Sequence, residues 1–396
     1  MYGRRESESA MTIHNESTAS VLDHRLDFLK MARRVVIKVG SAVLTADNGM
    51  NHEVIGNLAT GINSLRQNGK EVILVSSGAV AAGRKKMAFI EEKELTLMEK
   101  QALAAIGQSS LMHIYDSAFE KHGMKIAQAL LTHDDLAHRV RYVNFKNTVT
   151  TLLKMKVMPV INENDTVSTE ELQFGDNDNL GALVTNLIEA DIFICLTDVD
   201  CLYSANPLVD KTARPLHSVA EVTREIVAMA GNSGSSLGTG GMRSKILAAR
   251  KVAAGGGASL IGPGKRPGVL QDIFAGKMIG TFFLPQRKRL QGRKQWIAFV
   301  LKPNGILEVD AGAVEAISRG GKSLLPSGVR RVQGNFFSGD SVECRDEKGK
   351  IIAVGTTNYR AEEIVRIMGG NSQKIEDILG YKGSDVVIHR DNLVIL

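Results

Sequence analysis

A glycine-rich segment in the second half of the chain has the composition of a phosphate-binding loop. Residues 231–245 read GNSGSSLGTGGMRSK and lead directly into a helical pattern that carries Ser244 and Lys245. Backbone N–H groups that precede a helix bind anions, and a lysine adds positive charge. The spacing fits neither G-x-x-x-x-G-K-[ST] nor G-x-G-x-x-G. We therefore predict a phosphate site of another type over 238–245, with a surface loop that binds nothing as the alternative.

Lys38 is a second candidate for contact with a phosphate. It interrupts the apolar run Val35–Val39 and is followed by Gly40 and Ser41. A lysine in such a run loses its hydration unless an anion compensates the charge. Beside a glycine turn it can reach a phosphate as a point charge. We favour this functional interpretation over an edge-strand lysine that reaches solvent.

Polar residues also follow three other predicted strands. They are Ser76-Ser77-Gly78, Asn162-Glu163-Asn164-Asp165 and Thr197-Asp198. In a doubly wound sheet, ligands bind beyond the carboxyl ends of the strands. The small residues of 76–83 suit a carboxylate or a phosphate at a helix N-terminus, although tight packing of a helix on the sheet explains them equally well.

Residues 175–179, Gly-Asp-Asn-Asp-Asn, place two acids and two amides immediately before a helical pattern. This composition suits an amino group or a metal-bound phosphate as the ligand. The alternative is a cluster that only caps the helix. A calcium loop is a poor fit, because Leu180 and Leu187 stand where that motif requires an oxygen ligand.

The candidate residues lie in a regular alternation of strands and helices. Strand patterns at 35–39, 71–75, 157–161, 192–196 and 258–261 alternate with helical patterns at 52–67, 144–156, 180–190 and 242–254. This order predicts an α/β domain in which helices sandwich a mainly parallel sheet. We place the domain at 33–284, after an N-terminal extension, 1–32, that we expect to be poorly ordered.

A second, smaller, β-rich domain is predicted at 295–396, after a basic linker at 285–294. Glycine turns separate predicted strands at 296–301, 306–309, 341–344 and 351–355, and short helices are predicted at 312–318 and 361–368. Turns such as Asn304-Gly305 are typical of connections between antiparallel strands. The chain is therefore expected to have two domains.

The charge distribution argues against nucleic acid as the main partner. The formal net charge is +6, but residues 285–294 hold 5 basic and no acidic side chains, whereas residues 295–396 hold 13 of each. Binding to a nucleic-acid backbone needs a basic face. RNA binding by the C-terminal domain is therefore allowed but not favoured.

Cysteine usage and hydropathy indicate the compartment. The 3 cysteines form no C-x-x-C pair, which argues against a disulfide framework and against a zinc ribbon. No apolar stretch is long enough to span a bilayer, and the first 30 or so residues lack the pattern of a signal peptide. We expect a cytoplasmic enzyme with no membrane segment.

These segments, in this order, resemble the amino acid kinase family. The resemblance is carried by VVIKVGSAVLT (35–45), VSSGAVAAGR (75–84), PVINENDTV (159–167), FGDNDNLGALV (174–184), LTDVDCLY (196–203) and SGSSLGTGGMRSK (233–245). The C-terminal domain looks like a PUA domain, a small β-barrel-like module that also occurs in RNA-modifying enzymes. The resemblance implies the amino acid kinase fold and phosphoryl transfer from ATP, with Mg²⁺, to a carboxylate.

The resemblance also implies roles for individual residues. Lys38 and Lys245 match positions at the ATP phosphates, and Asp178 matches the acid that orients both lysines; these three are the catalytic candidates. The substrate-binding candidates are Ser77, Asp165, Asn177 and Asp176. The ATP-binding candidates are Lys38, Thr197, Asp198, Thr239, Gly240, Gly241, Met242, Arg243, Ser244 and Lys245. Which residues would bind the metal is left open.

The acceptor that the resemblance favours is free L-glutamate, through 162–165, 175–179 and the PUA-like tail. The product would be glutamyl 5-phosphate, in the first step of proline biosynthesis. A γ-carboxylate is already ionised at neutral pH and needs no general base. Feedback inhibition by proline and homo-oligomerisation are also implied. The alternatives are a related kinase that acts on acetylglutamate or aspartate and, from another class, an RNA-binding protein.

Overall fold

The computed structural model describes residues 18–46, 49–87, 95–168, 177–207, 209–230, 241–286 and 292–395. The chain divides into two compact units. The first comprises Met1–Thr132 with Thr148–Gln286, and the second comprises His133–Asn147 with Arg287–Leu396.

The first unit is built on an eight-stranded sheet. In spatial order its strands are Ser218–Val219, Thr281–Phe283, Ala258–Pro263, Ile192–Thr197, Arg34–Val39, Glu71–Ser76, Met158–Glu163 and Ile126–Leu131. The six strands from Ala258–Pro263 to Ile126–Leu131 are mutually parallel, while Thr281–Phe283 runs antiparallel to its neighbour. The predicted fold class is confirmed.

Lys38 lies on a central strand. It pairs in register with Val75 on one side and with Cys195 on the other. The alternative of an edge-strand lysine is therefore wrong. Valine and isoleucine fill the other buried positions of the strand because both of its faces are covered there, and the partly buried Arg34 begins it.

Helices cover the sheet, and most of the predicted ones are present. The helices of the first unit are Thr18–Met31, Ser41–Leu44, His52–Gln67, Ala79–Lys86, Leu97–Glu120, the end of Arg139–Lys154, Asn177–Leu187, Arg224–Met229, Met242–Ala254 and Val269–Phe274. Two short hairpins pair Thr45–Ala46 with Gly49–Met50 and Leu202–Tyr203 with Pro215–Leu216. None of the helices in the described part of the chain is long and apolar enough to cross a membrane.

Two glycines allow helices Ala79–Lys86 and Leu97–Glu120 to pack in close contact. A Cβ atom on Gly107 would lie 1.8 Å from the carbonyl oxygen of Ala79, and one on Gly83 would lie 1.9 Å from that of Leu103. The long helix, which the sequence analysis did not predict, thus lies beside the turn that follows Glu71–Ser76.

The expectation of a poorly ordered N-terminal extension is wrong for its second half. Residues Thr18–Met31 form a helix, and Leu29 is buried in the core of the first unit. Arg25 donates from Nη2 to the carbonyl of Ile279 (2.6 Å) and lies over the ring of Phe282. The helix is ordered because these contacts attach it to the sheet; residues 1–17 lie outside the described part.

The second unit contains a five-stranded sheet. In spatial order its strands are Val329–Gly334, Gly305–Val309, Ser341–Arg345, Ile351–Thr356 and Leu393–Ile395. Its helices are His133–Ala137, the start of Arg139–Lys154, Gly292–Phe299, Ala311–Ser318, Ala361–Ile367 and Ile375–Leu379, with short 3₁₀ turns at Pro326–Gly328, Ser372–Lys374 and Arg390–Asn392. The second β-rich domain is thus confirmed.

The predicted strand at 296–301 is wrong, because Gly292–Phe299 is a helix. Trp296, Ile297 and Val300 are buried at helical spacing, and a short continuous apolar run fits either structure. The segment 133–147, expected in the first domain, belongs to this unit. The Trp296 indole N–H donates to the carbonyl of Leu136 (2.9 Å), and its ring meets Tyr142 edge to face.

Candidate active site

Two lysines and one aspartate form a buried cluster at the carboxyl end of the parallel strands. Lys38 Nζ lies 2.6 Å from Asp178 Oδ1, and Lys245 Nζ lies 3.0 Å from Asp178 Oδ2. The Asp178 side chain is 0% exposed, and both lysines are buried. The cluster therefore holds two positive charges and one negative charge away from water.

Three elements position this cluster. Lys38 lies near the end of Arg34–Val39, Asp178 is the second residue of helix Asn177–Leu187, and Lys245 lies in the first turn of Met242–Ala254. A carboxylate in the first turn of a helix is stabilised by the helix dipole. Asp178 therefore suits both its helix and its two lysine partners.

The electrostatics keep Asp178 ionised. Burial by itself raises the pKa of its carboxyl, but Lys38 and Lys245 outweigh burial and hold that pKa at about 2. Because two lysines face one aspartate, the cluster as a whole keeps a net positive charge. Such a cluster is suited to attract an anionic ligand to this edge of the sheet.

Asn177 connects a second group of polar residues. Its Nδ2 lies 2.7 Å from the carbonyl oxygen of Ser76, 2.9 Å from Ser77 Oγ and 2.9 Å from Asn162 Oδ1. Asn162 in turn donates to Gln108 Oε1 at 2.8 Å. This amide network joins the ends of two adjacent strands, and Asn177 is the chain neighbour of Asp178.

The turn after Ser77 opens toward this network. Gly78 has φ +102°, a left-handed conformation that favours glycine, and it precedes helix Ala79–Lys86. The polar backbone of a helix N-terminus therefore lies beside Ser77. A carboxylate or phosphate ligand fits such an environment.

Asp165 lies in a cavity of about 290 Å³. The cavity is lined by residues from the long helix and from two strand ends, including Gln108, Ser109, Gln128 and Glu163. Burial and the neighbouring Glu163 raise the pKa of Asp165 to about 6. The carboxyl is mostly ionised at pH 7 and can accept hydrogen bonds from a cationic amino group.

The candidates for nucleotide binding are only partly described. Thr197 is buried and donates to the exposed Asp198 carboxylate at 2.9 Å. Gly241 precedes the helix that contains Met242, the exposed Arg243, Ser244 and Lys245. Thr239, Gly240 and the substrate candidate Asp176 lie outside the described residues.

The sequence analysis missed two residues near the predicted ones. Gln108 lies in helix Leu97–Glu120, and Cys195 lies in strand Ile192–Thr197 with Sγ 3.3 Å from Asp178 Oδ1. Cys195 follows from no local motif. Its place in the strand still indicated a site position, because residues two apart in a strand lie on the same face, and Thr197, two residues later, was already a candidate.

The described residues provide no ready cage for a metal. They include no group of three or more His, Cys, Asp or Glu side chains that could hold an ion. Both oxygens of Asp178 already accept hydrogen bonds from lysines.

Comparison with known families covers both units. The sequence profile of the amino acid kinase family matches residues 33–261, and the profile of the PUA domain matches residues 305–379. Among solved structures, a carbamate kinase from Giardia lamblia bound to AMP-PNP superposes with a TM-score of 0.47 at 17% identity, covering 65% of this chain and 100% of that one.

Curated relatives match the chain almost from end to end. A glutamate 5-kinase from Desulfotalea psychrophila is 58% identical over 94% of this chain and 99% of its own length. Those from Geobacter sulfurreducens and Syntrophus aciditrophicus are 51% and 47% identical, each over 94% of this chain and over 100% and 97% of their own lengths.

Proposed function

The chain belongs to the amino acid kinase family and, within it, to the glutamate 5-kinases, and we propose that Lys38, Asp178 and Lys245 form its phosphoryl-transfer centre. The reaction transfers the γ-phosphoryl group of ATP to the γ-carboxylate of L-glutamate and gives glutamyl 5-phosphate and ADP, the first step of proline biosynthesis. The observation that supports this centre is the pair of buried ammonium groups that share one carboxylate.

The chemistry requires little acid or base catalysis. A carboxylate oxygen of glutamate attacks the γ-phosphorus, and the bond to the oxygen between the β- and γ-phosphorus atoms breaks. The acceptor is already ionised, and ADP leaves as an anion. Alignment and neutralisation of charge must therefore lower the barrier.

The two lysines supply that charge. Lys38 and Lys245 lie on opposite oxygens of Asp178, so the carboxylate keeps two mutually repelling ammonium groups at a fixed separation. An ammonium group has several N–H donors, and both lysines are proposed to direct some of them toward phosphate oxygens when ATP binds. Asp178 acts as an orienting group and does not transfer a proton.

Glutamate is assigned to the network beside this cluster. Asn177 donates to Ser77 beside the N-terminus of helix Ala79–Lys86, and a carboxylate is stabilised at a helix N-terminus. Asp165, in the adjoining cavity, is assigned to the amino group of the substrate. Asp176 is proposed to lie beside the substrate.

The nucleotide is assigned to the carboxyl end of the neighbouring strand, Ile192–Thr197. Thr197 is the last residue of the strand that pairs with the strand of Lys38, and Asp198 follows it. Gly241 precedes the helix whose first turn carries Lys245. Backbone N–H groups of this helix start, together with Thr239 and Gly240 before it, are proposed to bind the phosphates.

Mg²⁺ is proposed to arrive as a complex with ATP. This ion retains several waters and is commonly bound through substrate phosphates and few protein ligands. The lack of a carboxylate cage among the described residues fits that mode. When bound, Mg²⁺ would neutralise phosphate charge in addition to the lysines.

Further proposals rest on family membership. They are feedback inhibition by proline, assembly into a homo-oligomer and a cytoplasmic location. RNA binding by the PUA domain is compatible with its family, but the balanced charge of residues 295–396 does not favour it.

The proposal is tested by measuring ADP release and hydroxamate formation with ATP and Mg²⁺. Glutamate, aspartate and acetylglutamate are compared as acceptors, each with and without proline. Lys38→Met and Lys245→Met keep most of the side-chain volume without the charge, and each should lower kcat by roughly a hundredfold or more, as for loss of one preorganised transition-state donor.

Lys277→Ala is the matched control. Lys277 Nζ also lies 2.6 Å from an aspartate, Asp272, but the Lys277 side chain is 59% exposed. No assigned site residue is close to Lys277 along the sequence. Its kcat should equal that of the wild type. Near-normal turnover by Lys38→Met or Lys245→Met would remove that lysine from the centre, and a preference for aspartate or acetylglutamate would overturn the acceptor.

A further inference from the structure

Asp178 accepts hydrogen bonds from two neutral donors as well as from the lysines. Cys195 Sγ lies 3.3 Å from Oδ1, and Ser244 Oγ lies 2.9 Å from Oδ2. Among the described residues, each carboxylate oxygen thus has one ammonium group and one neutral group within hydrogen-bonding distance, and the Ser244 hydroxyl also lies 2.8 Å from the carbonyl oxygen of Gly241. Lys38 and Cys195 share Oδ1, while Lys245 and Ser244 share Oδ2.

We propose that Cys195 is a positioning residue of the phosphoryl-transfer centre. Its thiol donates a hydrogen bond to Oδ1 of Asp178 and fixes the plane in which the carboxylate presents Lys38 and Lys245 to the phosphates. The inference rests on the proposed function of these lysines. It assigns a polar role to a side chain that would otherwise belong to the apolar core.

The position of Cys195 leaves its thiol few other directions. Cys195 lies in the middle of a central strand, is 0% exposed, and pairs in register with Lys38 on the neighbouring strand. Its side chain therefore lies under the start of helix Asn177–Leu187, where Asp178 is held. Burial, followed by the charge of Asp178, raises the pKa of the thiol above its ordinary value. The proton needed for donation is retained at neutral pH.

A fixed neutral donor has a specific use in this centre. When phosphates bind, the two ammonium groups turn some of their N–H donors toward them. A carboxylate with no exposure to water would then lose hydrogen bonds, which costs free energy in a buried site. The Cys195 thiol lies on the sheet and does not bind the phosphates in this arrangement, so it keeps Asp178 in its orientation during turnover.

Two substitutions separate hydrogen bonding from packing. Cys195→Ser replaces the thiol by a hydroxyl that can donate, whereas Cys195→Val keeps an apolar side chain of similar size that cannot. If Cys195 positions Asp178, the valine variant should lose kcat by roughly three- to tenfold, the range for one lost hydrogen bond. The serine variant should stay close to the wild type, and the KM for glutamate should change little in either.

Cys344 provides the matched control. Its thiol is also buried, but it lies among the apolar side chains of the second unit's core. Cys344→Val should leave kcat unchanged. Wild-type ADP release is measured first, so failure of the proposed function is seen as the absence of glutamate-dependent turnover, independently of the variants.

The infrared S–H stretching band gives a readout that packing alone would not change. Donation to the Asp178 carboxylate should place one thiol band of the wild type at lower frequency, and Asp178→Asn should shift that band upward. Retained activity in Cys195→Val, loss of activity in folded Cys195→Ser, or a band that does not respond to Asp178→Asn would each overturn the proposal. The infrared comparison applies even if a Cys195 variant fails to fold.

Discussion

Replacing Asp178 by asparagine should uncouple the two lysines at almost constant side-chain volume. The wild-type carboxylate accepts from Lys38 at 2.6 Å and from Lys245 at 3.0 Å on separate oxygens. An amide has one acceptor oxygen and one NH₂ group. One ammonium would therefore face a donor, and both would lose their counter-charge in a site closed to water.

The expected loss of stability follows from this burial. Removing one partner of a buried ion pair costs about 3–5 kcal/mol, because an uncompensated charge stays in the interior. An exposed pair contributes about 0–1 kcal/mol. Lys277→Ala, which breaks the exposed pair with Asp272, should therefore change the free energy of unfolding far less than Asp178→Asn.

The effect should depend on pH in a defined direction. The lysines hold the pKa of Asp178 at about 2 against the opposing effect of burial, whereas an unfolded aspartate has a pKa of about 3.9. The ion pair therefore stabilises the fold fully above about pH 4 and is lost as the pH falls through about 2. The difference between wild type and Asp178→Asn should be constant near neutrality and shrink in acid.

Urea unfolding followed by circular dichroism measures this difference, and initial-rate kinetics measure the catalytic effect. We expect kcat to fall by roughly a hundredfold, as for a lost preorganised electrostatic group, while affinity for ATP is kept, since the freed ammonium groups still attract phosphate. A variant within about 1 kcal/mol of the wild type, set against the range for a buried pair, or one with near-normal kcat, would refute this account of the cluster.

Two further predictions concern the substrate cavity and the packing of its walls. Because burial and Glu163 raise the pKa of Asp165 to about 6, the KM for glutamate should rise below that pH. Between about pH 3.9 and 6 the native state binds more protons than the unfolded state, so the free energy of unfolding falls as the pH rises through that window. Asp165→Asn should therefore raise the KM for glutamate and yet stabilise the fold at pH 7 in unfolding assays. Gly107→Ala would place a Cβ atom 1.8 Å from the carbonyl oxygen of Ala79 and should lower the free energy of unfolding by several kcal/mol, in the upper range for core mutations. Gly56 has open space around it, so Gly56→Ala should raise the free energy of unfolding by roughly 0.5–1 kcal/mol in the same measurement.

The local features of the site could be predicted because each is written in a short window. Lys38 stands out as a charge in an apolar strand, and Met242–Ala254 stands out through its periodicity and the glycines before it. The strand order that brings these windows together was not needed to find them. It sufficed that parallel strands end on one edge of a sheet.

Other elements were not predicted from the sequence, for physical reasons. Strand Ile126–Leu131 lies at the edge of the sheet, and most of its residues are only partly buried, so it has no fully buried apolar run. Helix Leu97–Glu120 is long, but its buried positions include Ala104 and Gly107, which carry little hydrophobic signal. The start of helix Thr18–Met31 is polar, and its order depends on contacts of Arg25 and Leu29 with distant parts of the chain.

The environment of Asp178 lies beyond any local pattern. Within the described part of the chain its donors are Lys38, Cys195, Ser244 and Lys245, which come from two strands and a helix. No window of sequence contains more than two of them, so the composition of 175–179 left a helix cap as the alternative. Helix Asn177–Leu187 begins where neighbouring central strands end, and Asp178 there receives two ammonium groups. The central sheet thus fixes a distance between charges that no single segment of the sequence brings together.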